Sequence, residues 1–278
     1  MYCQNHDKSV YLSMKTALIQ FDTLWEDKQA NLEYVQDKIL SLSNDVDLVV
    51  LPEMFTTGFT MNPEMVAEEE QGDTLQIIQK LALDKQTAIT GSWVVKEDHN
   101  YYNRLFFVFP DGSYQTYNKR HLFTLAGEEK IYKPGNEKLI VYYKGFNICL
   151  LVCYDLRFPV YSRIVNQNYD VLIYVASWPD RRIDAWDALL KARAIENMSY
   201  LVAVNRCGTD SNAVEYSGHS QVIDFMGKHI VEPIVDEQIC ITDLEKEPLQ
   251  TARQKFAFLN DADDFAIMKW FLIYFLTF

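Results

Sequence analysis

FNICLLVCYDLRFP, Phe146–Pro159, is the stretch that decides the fold. Its first seven residues, Phe146–Val152, are apolar apart from Asn147, the pattern of a strand covered on both faces. Lys144-Gly145 precedes them as a hairpin turn, with Leu139–Tyr143 as the partner strand. Cys153 stands directly past the strand end, and Tyr-Asp-Leu-Arg-Phe-Pro turns toward a helix. Ligands of open α/β sheets bind at that edge, where backbone N–H groups point outward. Free cysteines are most often small buried hydrophobes, and Cys149, earlier on the same strand, reads that way. Cys153 taken alone admits the same reading, although its place past the strand end also suits an exposed thiol.

Outward from this stretch the same rhythm repeats. Lys15–Asp22 and Asp47–Leu51 read as strands around a helix over Asp27–Ser43, which carries Ala30, Leu32, Val35, Ile39 and Leu40 at near-helical spacing. Asp73 or Thr74 caps a helix running to Lys85, and Thr87–Val95, Tyr101–Phe109 and Ser113–Tyr117 are β-rich runs split by turns such as Asp111-Gly112. Helical spacing returns in Tyr161–Asn168. Val171–Ala176 is another buried strand, and Asp184–Tyr200 a helix with Trp186, Leu189, Leu190 and Ile195 along one face. Leu201–Asn205, Ser220–Phe225, His229–Ile234 and Ile239–Leu244 complete the strands. Helices alternate with strands, some joined by hairpins, so a mixed-sheet α/β sandwich fits better than a doubly wound parallel sheet.

Composition narrows the chemistry. At 278 residues, 49% hydrophobic and 23% charged, the chain suits one large globular domain. A formal net charge of -13 opposes loose association with nucleic acid or anionic membranes, and favours a small-molecule substrate. Cys3, Cys149, Cys153, Cys207 and Cys240 are an odd, irregularly spaced set, which fits a reducing compartment, the cytoplasm, better than a secreted disulfide scaffold. Residues 1–13 lack the apolar stretch of a secretory signal and read as an appendage to a domain over 14–264. Residues 265–278 form an almost wholly apolar tail containing Lys269. The tail is too short for the roughly 20 residues that span a bilayer, so a docked or dimer-buried tail is expected and no membrane span.

Two further residues repeat the placement of Cys153. Glu53 ends the apolar run Asp-Leu-Val-Val-Leu-Pro-Glu, where apolar surroundings raise a carboxyl pKa and make it a usable proton shuttle. Lys119 closes the strand Ser113–Asn118. A base, a cation and a nucleophile thus each sit just past a strand, in three separate strands.

This ordered set resembles the nitrilase, or carbon-nitrogen hydrolase, superfamily, whose signature is a Glu, a Lys and a Cys in that order. The matching stretches are Leu51-Pro-Glu-Met-Phe, Asn118-Lys-Arg-His-Leu-Phe and Leu151-Val-Cys-Tyr-Asp-Leu-Arg-Phe-Pro, continued by Tyr174-Val-Ala-Ser-Trp-Pro and Ala192-Arg-Ala-Ile-Glu-Asn. The resemblance implies a four-layer α-β-β-α sandwich, a homodimer, and a second glutamate between the Lys and the Cys. Glu128 and Glu129 are the candidates; reading back from Tyr132-Lys-Pro-Gly favours Glu128. Asp155 and Arg157 resemble positions that brace the loop after the nucleophile as an ion pair, and Glu196 reads as a buried bracing acid.

The resemblance further implies a division of labour. Glu53 takes the thiol proton of Cys153, which attacks the amide carbon, while Lys119 and the backbone N–H of Tyr154 hold the oxyanion. A thioester forms and water hydrolyses it. No cofactor is implied, and the histidines fall at no metal-ligand spacing. The motif strings look most like the ω-amidases, which remove the terminal amide of 2-oxoglutaramate and 2-oxosuccinamate. Such substrates carry a far carboxylate that calls for a local cation. Arg182 is the candidate, with a solvated surface arginine as the competing reading; Trp178 and Phe59 are candidate pocket walls or plain core. Two alternatives stand beside this: another amidase or N-carbamoyl-amine hydrolase of the superfamily, and a catalytically silent interaction module.

Overall fold

The computed structural model of the chain describes residues 12–267. One sheet runs in the order Gln238–Glu245, Ser13–Gln20, Leu48–Val50, Ala88–Glu97, Asn100–Val108, Tyr114–Asn118, with Glu68–Glu69 paired beside Ala88–Glu97. The second runs His229–Ile234, Ser220–Ile223, Tyr200–Asn205, Val171–Ala176, Phe146–Val152, Leu139–Tyr143. Each has a parallel centre flanked by antiparallel strands, so both are mixed.

Side-chain alternation along each strand builds the layers. Met14 and Leu18 of the first strand, with Leu48 and Val50 of the next, join Phe146–Val152 and Val171–Ala176 in one core between the sheets. Ala17, Ile19 and Val49 point the other way, against Leu32, Val35 and Ile39 of the helix Lys28–Ser41 and Leu75, Ile78 and Ala82 of the helix Asp73–Lys85. Outside the second sheet, Trp186, Leu190 and Ala194 of the helix Ile183–Asn197 and Leu249 and Ala252 of the helix Lys246–Phe256 close its far face. The result is the four-layer α-β-β-α sandwich that the resemblance implied.

Several expectations need correcting. Tyr161–Asn168 is not a helix: only Pro159–Ser162 is helical, and Asn166 and Gln167 take positive φ of 51° and 50°, which no right-handed helix admits. The helix expected over Asp184–Tyr200 ends at Asn197; Met198 turns left-handed at φ 43°, and Tyr200 opens the next strand. Ile195 is 48% exposed; the inner stripe instead includes Arg193 and Asn197, whose polar groups bond across the helix end. Ser13 belongs to the first strand rather than to an appendage, pairing with Glu245. The rest of the appendage up to residue 11, and the tail from 268 onward, lie outside the described residues. Among the described residues no helix is long and apolar enough to cross a membrane.

Strand direction positions the site. Asn100–Val108 runs against Ala88–Glu97, and Tyr114–Asn118 runs against it in turn, so Tyr114–Asn118 points the same way as Leu48–Val50. The ends of these two strands therefore reach one edge, which the second sheet shares.

Candidate active site

Glu53, Lys119, Glu128 and Cys153 meet at that edge. Lys119 Nζ donates to Glu53 Oε1 at 2.9 Å and to Glu128 Oε1 and Oε2 at 3.1 and 2.9 Å, with all three side chains buried. Glu129 is exposed. Burial alone disfavours the Lys119 ammonium, but the carboxylates of Glu128 and Glu53 outweigh it and raise its pKa. Glu128 is raised too, by burial first and then by Glu53, with Lys119 opposing.

Local backbone holds each group in place. Lys119 N–H donates to Asn103 O at 3.0 Å, and its carbonyl accepts from Gly135 N at 3.0 Å. A Cβ on Gly135 would stand 2.1 Å from Asn118 O, so only glycine lets the Tyr132-Lys-Pro-Gly turn clasp this strand end. Glu53 Oε2 accepts from Ser177 N at 2.8 Å and its carbonyl from Ser177 Oγ at 3.1 Å, which ties it to the second sheet.

Cys153 opens a short 3₁₀ turn, Cys153–Arg157, with φ of 43°, a left-handed conformation that costs an ordinary residue about 1–3 kcal/mol. Asp155 holds that turn. Its Oδ2 accepts from Tyr117 Oη at 2.7 Å and Val152 N at 3.0 Å, and its Oδ1 from His121 N at 3.0 Å, with His121 Nδ1 at 2.8 Å. The expected Asp155–Arg157 ion pair is not formed: these partners occupy the carboxylate, and Arg157 lies over the Trp178 ring instead, 4.9 Å from its centroid. Glu196 is half-buried, not buried, and pairs with Arg193, whose other nitrogen donates to Leu156 O.

Burial pushes the Cys153 thiol well above its usual range, and the Glu53 carboxylate pushes it further; Lys119 pulls the other way. These surroundings favour the thiol form of Cys153, with the Glu53 carboxylate beside it.

The thiol opens on a cavity of about 170 Å³. Phe59, Lys119, Tyr154, Trp178 and Arg182 line it. Lys119 Nζ sits 5.1 Å from the Phe59 ring centroid, and Arg182 lies over Phe123 at 5.0 Å. Among the described residues no cluster of His, Cys, Asp or Glu could hold a metal ion.

The sequence model of the family described as carbon-nitrogen hydrolase matches residues 15–254. The chain belongs to the carbon-nitrogen hydrolase family. It is 40% identical over 258 residues to the omega-amidase YafV of Yersinia enterocolitica, covering 92% of this chain and 99% of that protein. It is 30% identical over 247 residues to a 2-oxoglutaramate amidase of Bacillus subtilis, covering 87% and 95%. Among solved structures, XC1258 of Xanthomonas campestris matches with a TM-score of 0.90 and 40% identity, covering 92% and 99%. That protein is a CN-hydrolase superfamily member with an arsenic adduct in its active site.

In this carbon-nitrogen hydrolase three neighbours of the site escaped the sequence reading. Asn103, inside a strand, donates through Nδ2 to Glu53 Oε1 at 2.7 Å. Ser177 lies inside the motif Tyr174-Val-Ala-Ser-Trp-Pro, and its place just past the strand Val171–Ala176 repeats the signal that marks Glu53, Lys119 and Cys153. The hairpin Cys207–Thr209 with Glu215–Ser217 brings Asp210, Val214 and Tyr216 to the cavity wall, and no periodicity betrays a hairpin this short.

Proposed function

We propose that the chain is an ω-amidase, cleaving the terminal amide of a short 2-oxo dicarboxylic acid monoamide, 2-oxoglutaramate or 2-oxosuccinamate, to the acid and ammonia. The observation that carries this reading is a buried Glu53–Lys119–Glu128 array around Cys153, opening on a cavity that fits one small acyclic molecule and presents cations to it. The names of the relatives point the same way.

The chemistry follows from the charges. An amide resists attack because an oxyanion must form and an amine must leave. Glu53 takes the Cys153 proton as sulfur bonds to the amide carbon, and the oxyanion settles between the Lys119 ammonium and the Tyr154 backbone N–H. Glu53 then passes its proton to the departing ammonia as the C–N bond breaks, leaving a thioester on Cys153. Water, losing a proton to Glu53, attacks that thioester, and the carboxylate leaves as the thiol re-forms. Glu128 keeps Lys119 charged and in place. Arg182 receives the far carboxylate, with Trp178 and Phe59 as apolar walls. The reading includes a cytoplasmic homodimer, since a reducing compartment keeps Cys153 free.

The test is release of ammonia and 2-oxoglutarate, in equal amounts, from 2-oxoglutaramate. Turnover of carbamoyl amines with none of the 2-oxo amides would replace this reading with its N-carbamoyl-amine hydrolase alternative.

A further inference from the structure

We infer that Tyr132 is a positioning residue for the acyl end of the substrate: its hydroxyl, acting through the Thr60 carbonyl, fixes the Phe59 ring beside Lys119 and so sets the chain length that the cavity admits. The inference deepens the ω-amidase reading and rests on its placing of Phe59 as a wall beside the acyl chain.

The two glutamates that pair with Lys119 each lead into a segment, and the two segments meet again at their far ends. Past Glu53 the chain turns at Met54, whose carbonyl accepts from Gly58 N at 2.8 Å. That turn brings Phe59 to the cavity wall, with its ring centroid 5.1 Å from Lys119 Nζ. Past Glu128 the chain makes the short 3₁₀ turn Glu128–Lys130, and Tyr132 N donates back to Glu128 O at 2.8 Å. Tyr132 Oη then donates to Thr60 O, also at 2.8 Å, and this bond joins the segments. Phe59 thus lies between two anchors, Gly58 on the side of Glu53 and Thr60 on the side of Glu128.

Packing alone does not call for that hydroxyl. Tyr132 is 1% exposed and clusters with Met54, Val94 and Leu122, apolar neighbours that a Phe would suit equally well. Burying a hydroxyl costs free energy unless a partner accepts from it, and Thr60 O is that partner. Burial first, and then the Glu128 carboxylate, raise the pKa of Tyr132, so the group stays a donor. A second tie acts on the same residue: Thr60 Oγ1 donates to Glu26 Oε1 and accepts from Asn62 N at 2.9 Å. Carbonyl and hydroxyl of Thr60 are both held, and the neighbouring ring is the one beside Lys119. A wall discriminates between chain lengths only when bonds behind it keep it from yielding.

The experiment measures alkylation of Cys153 by 1-chlorobutan-2-one and by the longer 1-chlorohexan-2-one, read by peptide mass spectrometry, in wild type, Tyr132→Phe, Phe59→Ala and the double variant. Sulfur bonds to the chloromethyl carbon as chloride leaves and the thiol proton passes to solvent, so no turnover is needed. Tyr132→Phe should raise the long-to-short rate ratio about tenfold, the discrimination that a methylene gives against a fixed apolar wall. Phe59→Ala should raise it at least as much. The double variant should match Phe59→Ala, because Tyr132 acts only through that ring. Thr60→Val, which frees the Glu26 tie, should move the ratio in the same direction by less. An unchanged ratio in Tyr132→Phe, with or without a loss of thermal stability, overturns the inference, and so do additive effects in the double variant. Should Tyr132→Phe fail to fold, an unchanged ratio in Thr60→Val overturns it instead. Failure to hydrolyse 2-oxoglutaramate while the ratio shifts as expected would remove the ω-amidase reading and leave the role of Tyr132 standing.

Discussion

Asn103 Nδ2 donates to Glu53 Oε1 at 2.7 Å, the same oxygen that Lys119 Nζ reaches at 2.9 Å. A carboxylate oxygen accepts about two hydrogen bonds in good geometry, so Oε1 is full. Oε2 has one partner, Ser177 N, and keeps a lone pair. On the proposed mechanism, the proton that Glu53 takes from Cys153 goes to Oε2. On that mechanism Asn103 is a positioning residue, which presents the base by occupying its other oxygen.

Asn103→Ala should lower kcat about 30-fold with KM within threefold. A hydrogen bond to a charged group contributes about 2 kcal/mol, and this one is made to the base rather than to the substrate. Steady-state kinetics on an amide substrate check it. A variant that loses thermal stability yet keeps its kcat would show Asn103 to be structural only.

Glu53→Gln should separate thiol reactivity from catalysis. Glu53 raises the Cys153 pKa and Lys119 lowers it, so removing the carboxylate charge leaves Lys119 to act with less opposition. The folded-state thiol pKa falls, and thiolate is present at lower pH than in the wild type. The pH midpoint for alkylation of Cys153 by iodoacetamide should move down while amide hydrolysis is lost. An upward shift, or none, contradicts the electrostatic account.

Asp155→Ala should destabilise the fold by about 3 kcal/mol, because the Tyr117 hydroxyl and the Val152 amide are left buried without an acceptor and the His121 amide loses its own. Tyr117→Phe removes one of these donors and the acceptor of the Arg120 amide, and should cost about 2 kcal/mol. Urea denaturation reads both as lower midpoints at unchanged slope. Equal losses in the two variants would mean that Asp155 is not the hub of the Cys153 turn.

The strand ends were legible in the sequence because burial on both faces leaves an apolar run with a sharp polar stop. That is how Glu53 and Cys153 stood out, and Ser177 obeys the same rule; Lys119 instead closes an edge strand, Tyr114–Asn118, that is only partly buried. Asn103 could not be found this way: it lies within a strand, and its neighbours Arg104 and Leu105 share its pattern of alternation. The helix Lys246–Phe256 went unread because its inner face is partly ionic, with Arg253 donating to Tyr169 O and Met198 O rather than packing as an apolar residue. The segment Tyr161–Asn168 fails as a helix for a backbone reason, positive φ at Asn166 and Gln167, which apolar spacing does not report. Arg157 was misjudged for a different reason. Its proximity in sequence to Asp155 suggests an ion pair, but Asp155 is turned inward to the strand end and Arg157 outward to Trp178.

The central claim is a thioester on Cys153. Acid quenching of the enzyme during turnover of 2-oxoglutaramate, followed by peptide mass spectrometry, tests it most directly. The account predicts that the peptide containing Cys153 carries the acyl group of the substrate, that hydroxylamine removes it, and that Cys153→Ala neither forms the adduct nor releases ammonia. Steady ammonia release by Cys153→Ala would contradict it.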